Sequence, residues 1–552
     1  MTLSPRSVLL ALTMLSGASA VMVHPANATT SDSAEVAALR REMAEMRREM
    51  SVMRSELRTQ APSAAKTAHG RHVAASHTAP NYNGAPEPGI AFNQPAKVSY
   101  HASGDGRPVS DRGIVSSWED FKRASADTEV VQVGGMKIGF PGGRPTIQSE
   151  DGKYAFSIGL AFHEDFGGFM GVSGAGTQAK SSQKFNSFTS NARRLRVPMT
   201  FRYKDWVANV TPDFGAGNND GTVGLYEGNL NYAGLRNTIL TVGYFQPRVT
   251  EEDAESSNDF EMMERPGITD MVRSIAAGDA RFSIGGMHYE KRWWVGAYFT
   301  GQQFGGRNAS GYYGGDGNIN DSQTGGLVRA AGRPVATKDW DVHLGISAIS
   351  AFKPSNGTHG RSFSLSQRPE VNLGESSLLS TGTITNVAQV WAAGPEFAMR
   401  WKRFVLKGEY YHVGVTRGHD TLGGQAMHSL NFDGWYVAAN YTLFGKARAY
   451  NIKEGAFAAP GVPESQEFNP AHGTWGALEI SGRYSEADLN SRVNSADGIR
   501  GGRQQVWSGG LNWYPNRHFR VMVDFNHFTD AHTSLTIARH GNSLAARVQA
   551  AF

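Results

Sequence analysis

The 552-residue chain contains no cysteine, which excludes a disulfide framework and any cysteine-ligated metal centre. Net charge is small as well: 54 basic against 50 acidic side chains, formally +4. Over this length that is no nucleic-acid footprint, and the basic cluster at Arg193–Arg196 lies in an apolar-alternating segment rather than a basic run. Long apolar runs are missing too. Beyond the first residues, no uninterrupted apolar stretch could cross a bilayer as a helix. That absence leaves a membrane protein open, because a closed β-barrel satisfies its backbone inside lipid with strands that merely alternate. Nor is there an HExxH, a Walker-type loop or a GxSxG elbow, so neither enzyme chemistry nor a cofactor or metal is expected. His163-Glu164-Asp165 is only a faint metal hint, since adjacent strand residues face opposite ways.

Glycine is abundant, at 65 residues, which fits many turns and closely packed strands. At the start, Arg6 precedes the apolar run Val8 to Leu15, and small residues follow at Ala18-Ser19-Ala20 and Ala26-Asn27-Ala28. Residues 1–28 therefore read as a secretory signal with cleavage after Ala20 or Ala28; a retained anchor is the alternative. Residues 29–60 read as a helix. Val36, Leu39, Met43, Met46, Met50, Met53 and Leu57 recur at three-four spacing, the seam of a coiled coil. Glu42 and Glu49 at g would meet Arg47 and Arg54 at e in parallel chains; a solvated single helix is the bland alternative. Residues 61–128, rich in Ala, Pro, Gly, Ser and His at first, read as a flexible linker and lead-in.

From about residue 130 the period becomes two. In "ARRLRVPMTFRYKDW", Leu195, Val197, Met199, Phe201 and Tyr203 alternate with Arg194, Arg196, Pro198, Thr200, Arg202 and Lys204. One face of that strand is apolar and the other carries a row of cations. "YAFSIGLAF", "KDWDVHLGISA", "TWGALEISGRYS" and "HFRVMVDFNHF" alternate likewise. A soluble sandwich would also show this pattern; the turns decide against it. Four tight connections hold polar residues between aromatics: Tyr203 to Trp206, Tyr289 to Trp293, Trp401 to Phe404 and Tyr514 to Phe519. Rings on both sides of a short turn suit a membrane-interface girdle, and long Gly/Asn/Ser-rich loops separate the hairpins. Strand starts are expected near 154, 191, 206, 223, 238, 281, 293, 339, 361, 386, 404, 432, 474, 504, 519 and 543. The expected architecture is therefore all-β, a transmembrane antiparallel barrel of about sixteen strands over residues 129–552, wide enough for an aqueous channel. Residues 445–473 should lie at the short-turn end, yet are long, and alternation gives no account of them.

Four stretches carry a family resemblance: "VGYFQPRVTEEDAESSNDFEMMER", "GPEFAMRWKRFVLKGEYY", "FDGWYVAANYTLFGKARAYN" and "GTWGALEISGRYSEADLN". Lying in family order across most of residues 135–552, they resemble the phosphate-selective porin O and P family. The resemblance implies a homotrimeric sixteen-stranded outer-membrane channel whose third loop folds inward. It also implies a preference for phosphate or other anions, bound by basic lumen residues. Phe552, ending an alternating last strand, resembles the signal that bacterial barrels present to their assembly machinery. Two features depart from the family: Gln246 stands where many members have lysine, and residues 247–280 are acidic.

The strand parity places Arg194, Arg196, Arg202, Lys407, Arg483, Arg520 and Arg547 on the lumen face as pore-lining candidates. Consecutive positions on one face lie about 6.6 to 7 Å apart, so these cations could pass an anion along. They could equally brace the wall against Glu227, Asp213, Glu409 or Asp524. The constriction-loop candidates are Glu251, Glu252, Asp253, Glu255, Asp259, Glu261 and Glu264, offset by Arg248, Arg265 and Arg273. Acidic loop against basic wall would give a transverse field and weak anion selectivity. The expected function is passive diffusion of small hydrophilic solutes or anions across the bacterial outer membrane, in contact with its lipid, with the coiled coil in the periplasm. The alternative is a tether from outer membrane to cell wall.

Overall fold

The structure is a computed structural model that describes residues 106–552 apart from 129, 174–184, 216–221, 306–321, 358–359, 375–376, 419–420, 423–424 and 533–536. The signal peptide, the coiled-coil helix and the linker up to residue 105 lie outside the described residues.

Residues 106–117 run as a chain without regular structure into helix α1 (Trp118–Ala126), which Ser117 caps through its side chain on Asp120 N. A three-stranded meander follows, β1 (Val130–Val133), β2 (Met136–Gly139) and β3 (Thr146–Ser149). The wall then begins with β4 (Tyr154–Ile158) and β5 (Ala161–Ser173), one strand interrupted at Gly159-Leu160, paired with β6 (Thr189–Arg196) and β7 (Met199–Tyr203). The second interruption falls at Val197-Pro198, where proline has no N–H to give a ladder. Next come β8 (Trp206–Asp213), β9 (Gly224–Leu235), β10 (Thr238–Phe245), β11 (Arg281–Tyr289), β12 (Trp293–Gln303), β13 (Thr324–Ala336) and β14 (Trp340–Lys353). The last seven are β15 (Val387–Trp401), β16 (Phe404–Arg417), β17 (Leu430–Phe444), β18 (Ala477–Ser491), β19 (Ile499–Tyr514), β20 (Phe519–His532) and β21 (Ile537–Ala551).

Each wall strand pairs antiparallel with the next. The ring closes where β21 runs against β5, from Ala551 opposite Ala161 to His540 opposite Ser173. With β4–β5 and β6–β7 each counted as one, the wall has sixteen strands. Closure removes sheet edges, which is what a wall in lipid requires. Side chains alternate as the period of two dictates: Leu344 and Ile346 are exposed while Asp341 and His343 are buried, and Val523 and Phe525 are exposed around buried Asp524. The apolar side therefore faces out. At the short-turn end, rings pair across strands, Tyr154 with Tyr203 and Trp206 with Tyr232 at 4.8 Å each, and Trp340 with Trp401 at 5.9 Å.

The meander β1–β3 continues the wall along β4, beneath the end of β21. Its register sets Val131, Ile138 and Ile147 in line with Phe156 and Phe201, prolonging the outer apolar face.

One expected strand is corrected. The strand expected near 361 is a short piece, Gly360–Phe363, in a small sheet of the loop between β14 and β15. The wall strand in its place is β13, whose outward residues Val328 and Ala330 are too modest to make alternation visible.

Candidate functional site

Among the described residues, the loop between β14 and β15 reaches the lumen side of the wall, burying Leu365, Leu379 and Ile384 there, and three further segments cross it. The first is the loop between β10 and β11, which folds into the barrel. Its helical turn, Glu251–Ala254, is capped by Thr250 Oγ1 on Asp253 N at 2.9 Å. The carboxyl group of Glu409 on β16 accepts from Glu251 N (3.2 Å) and Glu252 N (3.0 Å), so a wall acceptor satisfies the turn's N-terminus. Tyr411 and Tyr436 hydroxyls donate to the same carboxyl group at 2.9 Å. Helix α2 (Gly267–Ala276) ends the loop and lays Ile268, Met271, Val272 and Ile275 on apolar inner residues such as Val390, Val413 and Phe432. Sequence reading missed this helix, although those four residues recur at helical spacing.

The second segment is 445–473, and its length has a reason: it turns inward. A hairpin pairs Ala449–Asn451 with Ala456–Ala458. Arg448 donates twice to Glu479 on β18, at 2.8 and 2.9 Å, and Arg329 on β13 donates to the Gly455 carbonyl at 2.7 Å. Ala459 N donates to Asp259 of the first loop at 3.0 Å, and Arg248 pairs with Glu454.

The third is residues 106–117. This part of the segment read as linker is held throughout its length. Asp111 accepts from Arg196, Ser256 and Ser257, and Arg112 donates to the Glu255 carbonyl at 2.9 Å.

All seven pore-lining candidates face inward and none is more than 6 % exposed, because these segments cover them. They divide by partner. Arg196 binds Asp213 (2.8 Å) and Asp111 (2.5 Å), with Tyr226 under its guanidinium. Arg547 binds Asp165 through two nitrogens (2.5 and 2.7 Å) and Glu264 (2.9 Å). Arg483 binds Glu370 (2.7 Å), and Lys407 lies among Glu252, Glu255, Glu251 and Glu261 at 2.5, 2.7, 3.5 and 3.9 Å. The others touch neutral groups. Arg194 meets His163 Nδ1 at 3.2 Å, Arg202 donates to Ser116 and the Lys204 carbonyl, and Arg520 donates to Asn512 and the Asn258 and Phe260 carbonyls.

The constriction-loop residues are drawn together, but by contact rather than by opposing fields across a gap. Asp253 takes Arg273 (2.8 Å), with Arg265 at 3.6 Å. Glu264 takes Arg193 Nε and Nη2 at 2.6 and 2.8 Å. Arg193 was not a candidate, since parity turns it to lipid. A bulge between His163–Arg194 and Glu164–Ala192 inserts it as an extra residue and lets it turn inward. Glu370 was missed as well; besides Arg483 it accepts from Gly267 N at 2.7 Å.

Glu251, Glu252 and Glu255 bring carboxylate oxygens within 4.8 Å of one another, a spacing that could hold a hard cation. The Lys407 ammonium already lies in that position. Burial, with Glu251 and Glu252 alongside, pushes the Glu255 carboxyl well above the usual range despite Lys407. Burial works against ionisation of Glu252 too, yet Lys407 and Arg483 hold its carboxyl below its ordinary value. His163 and Asp165 are engaged by Asn258 and Arg547.

A closed sixteen-stranded wall with an apolar exterior and a charged, loop-crossed interior is channel architecture. The profile of the phosphate-selective porin O and P family matches residues 156–552. The chain belongs to this family. The porin is thus an outer-membrane channel protein. No curated protein matches it. Among solved structures it is similar to the outer-membrane channel DcaP of Acinetobacter baumannii (10 % identity, TM-score 0.43, covering 73 % of this chain and 99 % of that one). It is similar also to an anion-selective porin from Comamonas acidovorans (8 %, 0.40, 72 % and 100 %) and to the trimer form of OmpT from Vibrio cholerae (10 %, 0.40, 72 % and 99 %).

Proposed function

We propose that the porin is a trimeric, weakly anion-selective diffusion channel for small hydrophilic solutes. The observation that carries weak selectivity is the pairing at contact distance. Lys407 among the loop glutamates, Arg547 with Asp165 and Glu264, Arg483 with Glu370, and Arg196 with Asp213 and Asp111 each meet carboxylates at contact distance, which leaves those four cations little positive field at the range a passing ion feels. Arg194, Arg202 and Arg520, bonded to neutral groups, retain their field and supply the anion preference. In this reading Glu251, Glu252, Asp253, Glu255, Asp259, Glu264, Arg265 and Arg273 shape the constriction and contribute little net potential. The family supports three chains; the pattern of residues 1–28 supports a cleaved signal, the heptads of residues 29–60 a periplasmic coiled coil on the 61–128 lead-in, and Phe552 at the end of an alternating strand the mark read during barrel assembly. No observation favours a tether.

Reversal potentials in planar bilayers under a salt gradient test this. Weak anion selectivity is expected, and Arg194→Ala with Arg202→Ala should move it toward cations. The shift should be larger at low salt, because unit charges roughly 8 Å apart at an effective dielectric near 20 interact by about 2 kcal/mol before screening. Cation selectivity in the parent chain, or strong saturable phosphate binding, would overturn the reading.

A further inference from the structure

We propose that residues 106–117 form a gate, a polar strap across the short-turn mouth that keeps conductance low until it is released. The proposal rests on the channel function, but the strap lies upstream of the residues that the family profile matches. At one end the Gly106 carbonyl accepts from Val462 N at 2.8 Å in the inward segment 445–473. Gly106 has φ +73°, and a Cβ there would lie 2.0 Å from the Val462 carbonyl oxygen, so the crossing admits only glycine. At the other end, Ser116 accepts from Arg202, and Trp118 N donates to Asp205 Oδ1 at 2.8 Å in the β7–β8 turn. The strap thus joins well-separated parts of the mouth.

Nothing in the barrel ladder depends on it. The strap contains neither helix nor strand, and the β21–β5 seam closes without it. Its one buried apolar side chain is Val109. Val115 packs against the cluster around Trp294, but most of the strap's contacts are hydrogen bonds and ion pairs, which exchange with water more readily than apolar burial does. Its latch is Asp111, 0 % exposed, which accepts from Arg196 Nη1 (2.5 Å), Ser257 Oγ (2.6 Å) and Ser256 Oγ (2.7 Å). One carboxylate so fastens the strap to strand β6 and to the inward loop at once. Three donors converging on it make a cradle for a small oxyanion, filled by the protein's own side chain. Burial opposes its charge, yet Arg196 and Arg112 hold the carboxyl well below the ordinary range, so the latch stays ionised. Behind the strap, a recess of about 140 Å³ is bounded by its Arg107 and Arg112 and by Glu255, Asp259 and Glu454 opposite. Release would join that recess to the lumen.

The test is single-channel conductance of the full chain against Asp111→Asn and Asp111→Glu, with barrel integrity followed by heat-dependent gel mobility. Asparagine keeps the shape but removes the charge, and should raise the open population about tenfold or more; glutamate should stay near the parent. A folded Asp111→Asn barrel with unchanged conductance would overturn the gate, as would an Asp111→Asn chain that no longer forms a barrel, since the strap would then be part of the fold. No conductance from any of the chains, parent included, would overturn the channel function itself and the gate with it.

Discussion

Glu454 shows how far single interior residues are committed. Burial alone would favour its neutral form, but Arg248 and Arg112 bring its carboxyl down to about 2 from an ordinary 4.5. Because the folded value is the lower one, the pair contributes stability that is fully present above about pH 4.5. That stability is lost as pH falls through the folded value near 2. Conductance and thermal stability should therefore be flat in this respect from neutral pH to about 4.5, with interior loosening only below it, whereas Glu454→Gln should show the loosened behaviour at neutral pH. Thermal melts across pH for both chains check this; equal pH profiles would show the pair to be energetically silent. At this scale the sequence was only half legible. Parity identified the inward face for all seven cations, since alternation alone decides that. It offered Asp213 as a bracing carboxylate, and Asp213 does bind Arg196, but it could not name partners that come from segments hundreds of residues away, as Glu264 does for Arg547. Arg193 was not among the candidates because one bulge reverses parity and leaves no trace in composition.

Among the elements, strands with bulky outward residues were legible and those with small ones were not. In β13, Gly325, Gly326, Ala330, Ala331 and Gly332 leave little contrast between faces, and Pro334 sits at a register shift between Gly332 and Val335. Residues 361–365, in contrast, alternate serine with larger side chains, yet only Gly360–Phe363 forms a strand, and that strand never joins the wall. Alternation reports a two-faced strand; only pairing makes it part of a barrel. The same distinction gives a prediction. Ile346 is 60 % exposed near the centre of β14, opposite the outward-facing Ala330 of β13 and Pro395 of β15. If that face meets lipid, Ile346→Arg should destabilise the barrel by about 2–4 kcal/mol, the depth-dependent cost of a cation near the bilayer midplane. Denaturant unfolding in lipid vesicles measures it, and a cost under about 0.5 kcal/mol, ordinary for a water-facing site, would place that face in water.

At the scale of the molecule, the barrel and its assembly are separable. The wall satisfies its backbone by closing on itself through the complete β21–β5 seam, so no chain needs a neighbour to complete its sheet. Self-association must then come from side chains on the exterior or from the upstream heptads, and the two sources differ in what they lose on truncation. If the heptads pair in parallel, Glu42–Arg47 and Glu49–Arg54 would be g–e contacts at the surface, worth a few tenths of a kcal/mol each. The seam is mostly methionine over fewer than four heptads, short for an independent helix assembly. The weight of a trimer therefore falls on the barrels, with the heptads adding effective concentration rather than affinity. Mass measurement in detergent should find three chains in the full protein and still three after deletion of residues 29–60, with the truncated form dissociating at lower temperature. Monomers after truncation would place the association in the coiled coil instead, and the barrel exterior would then meet only lipid.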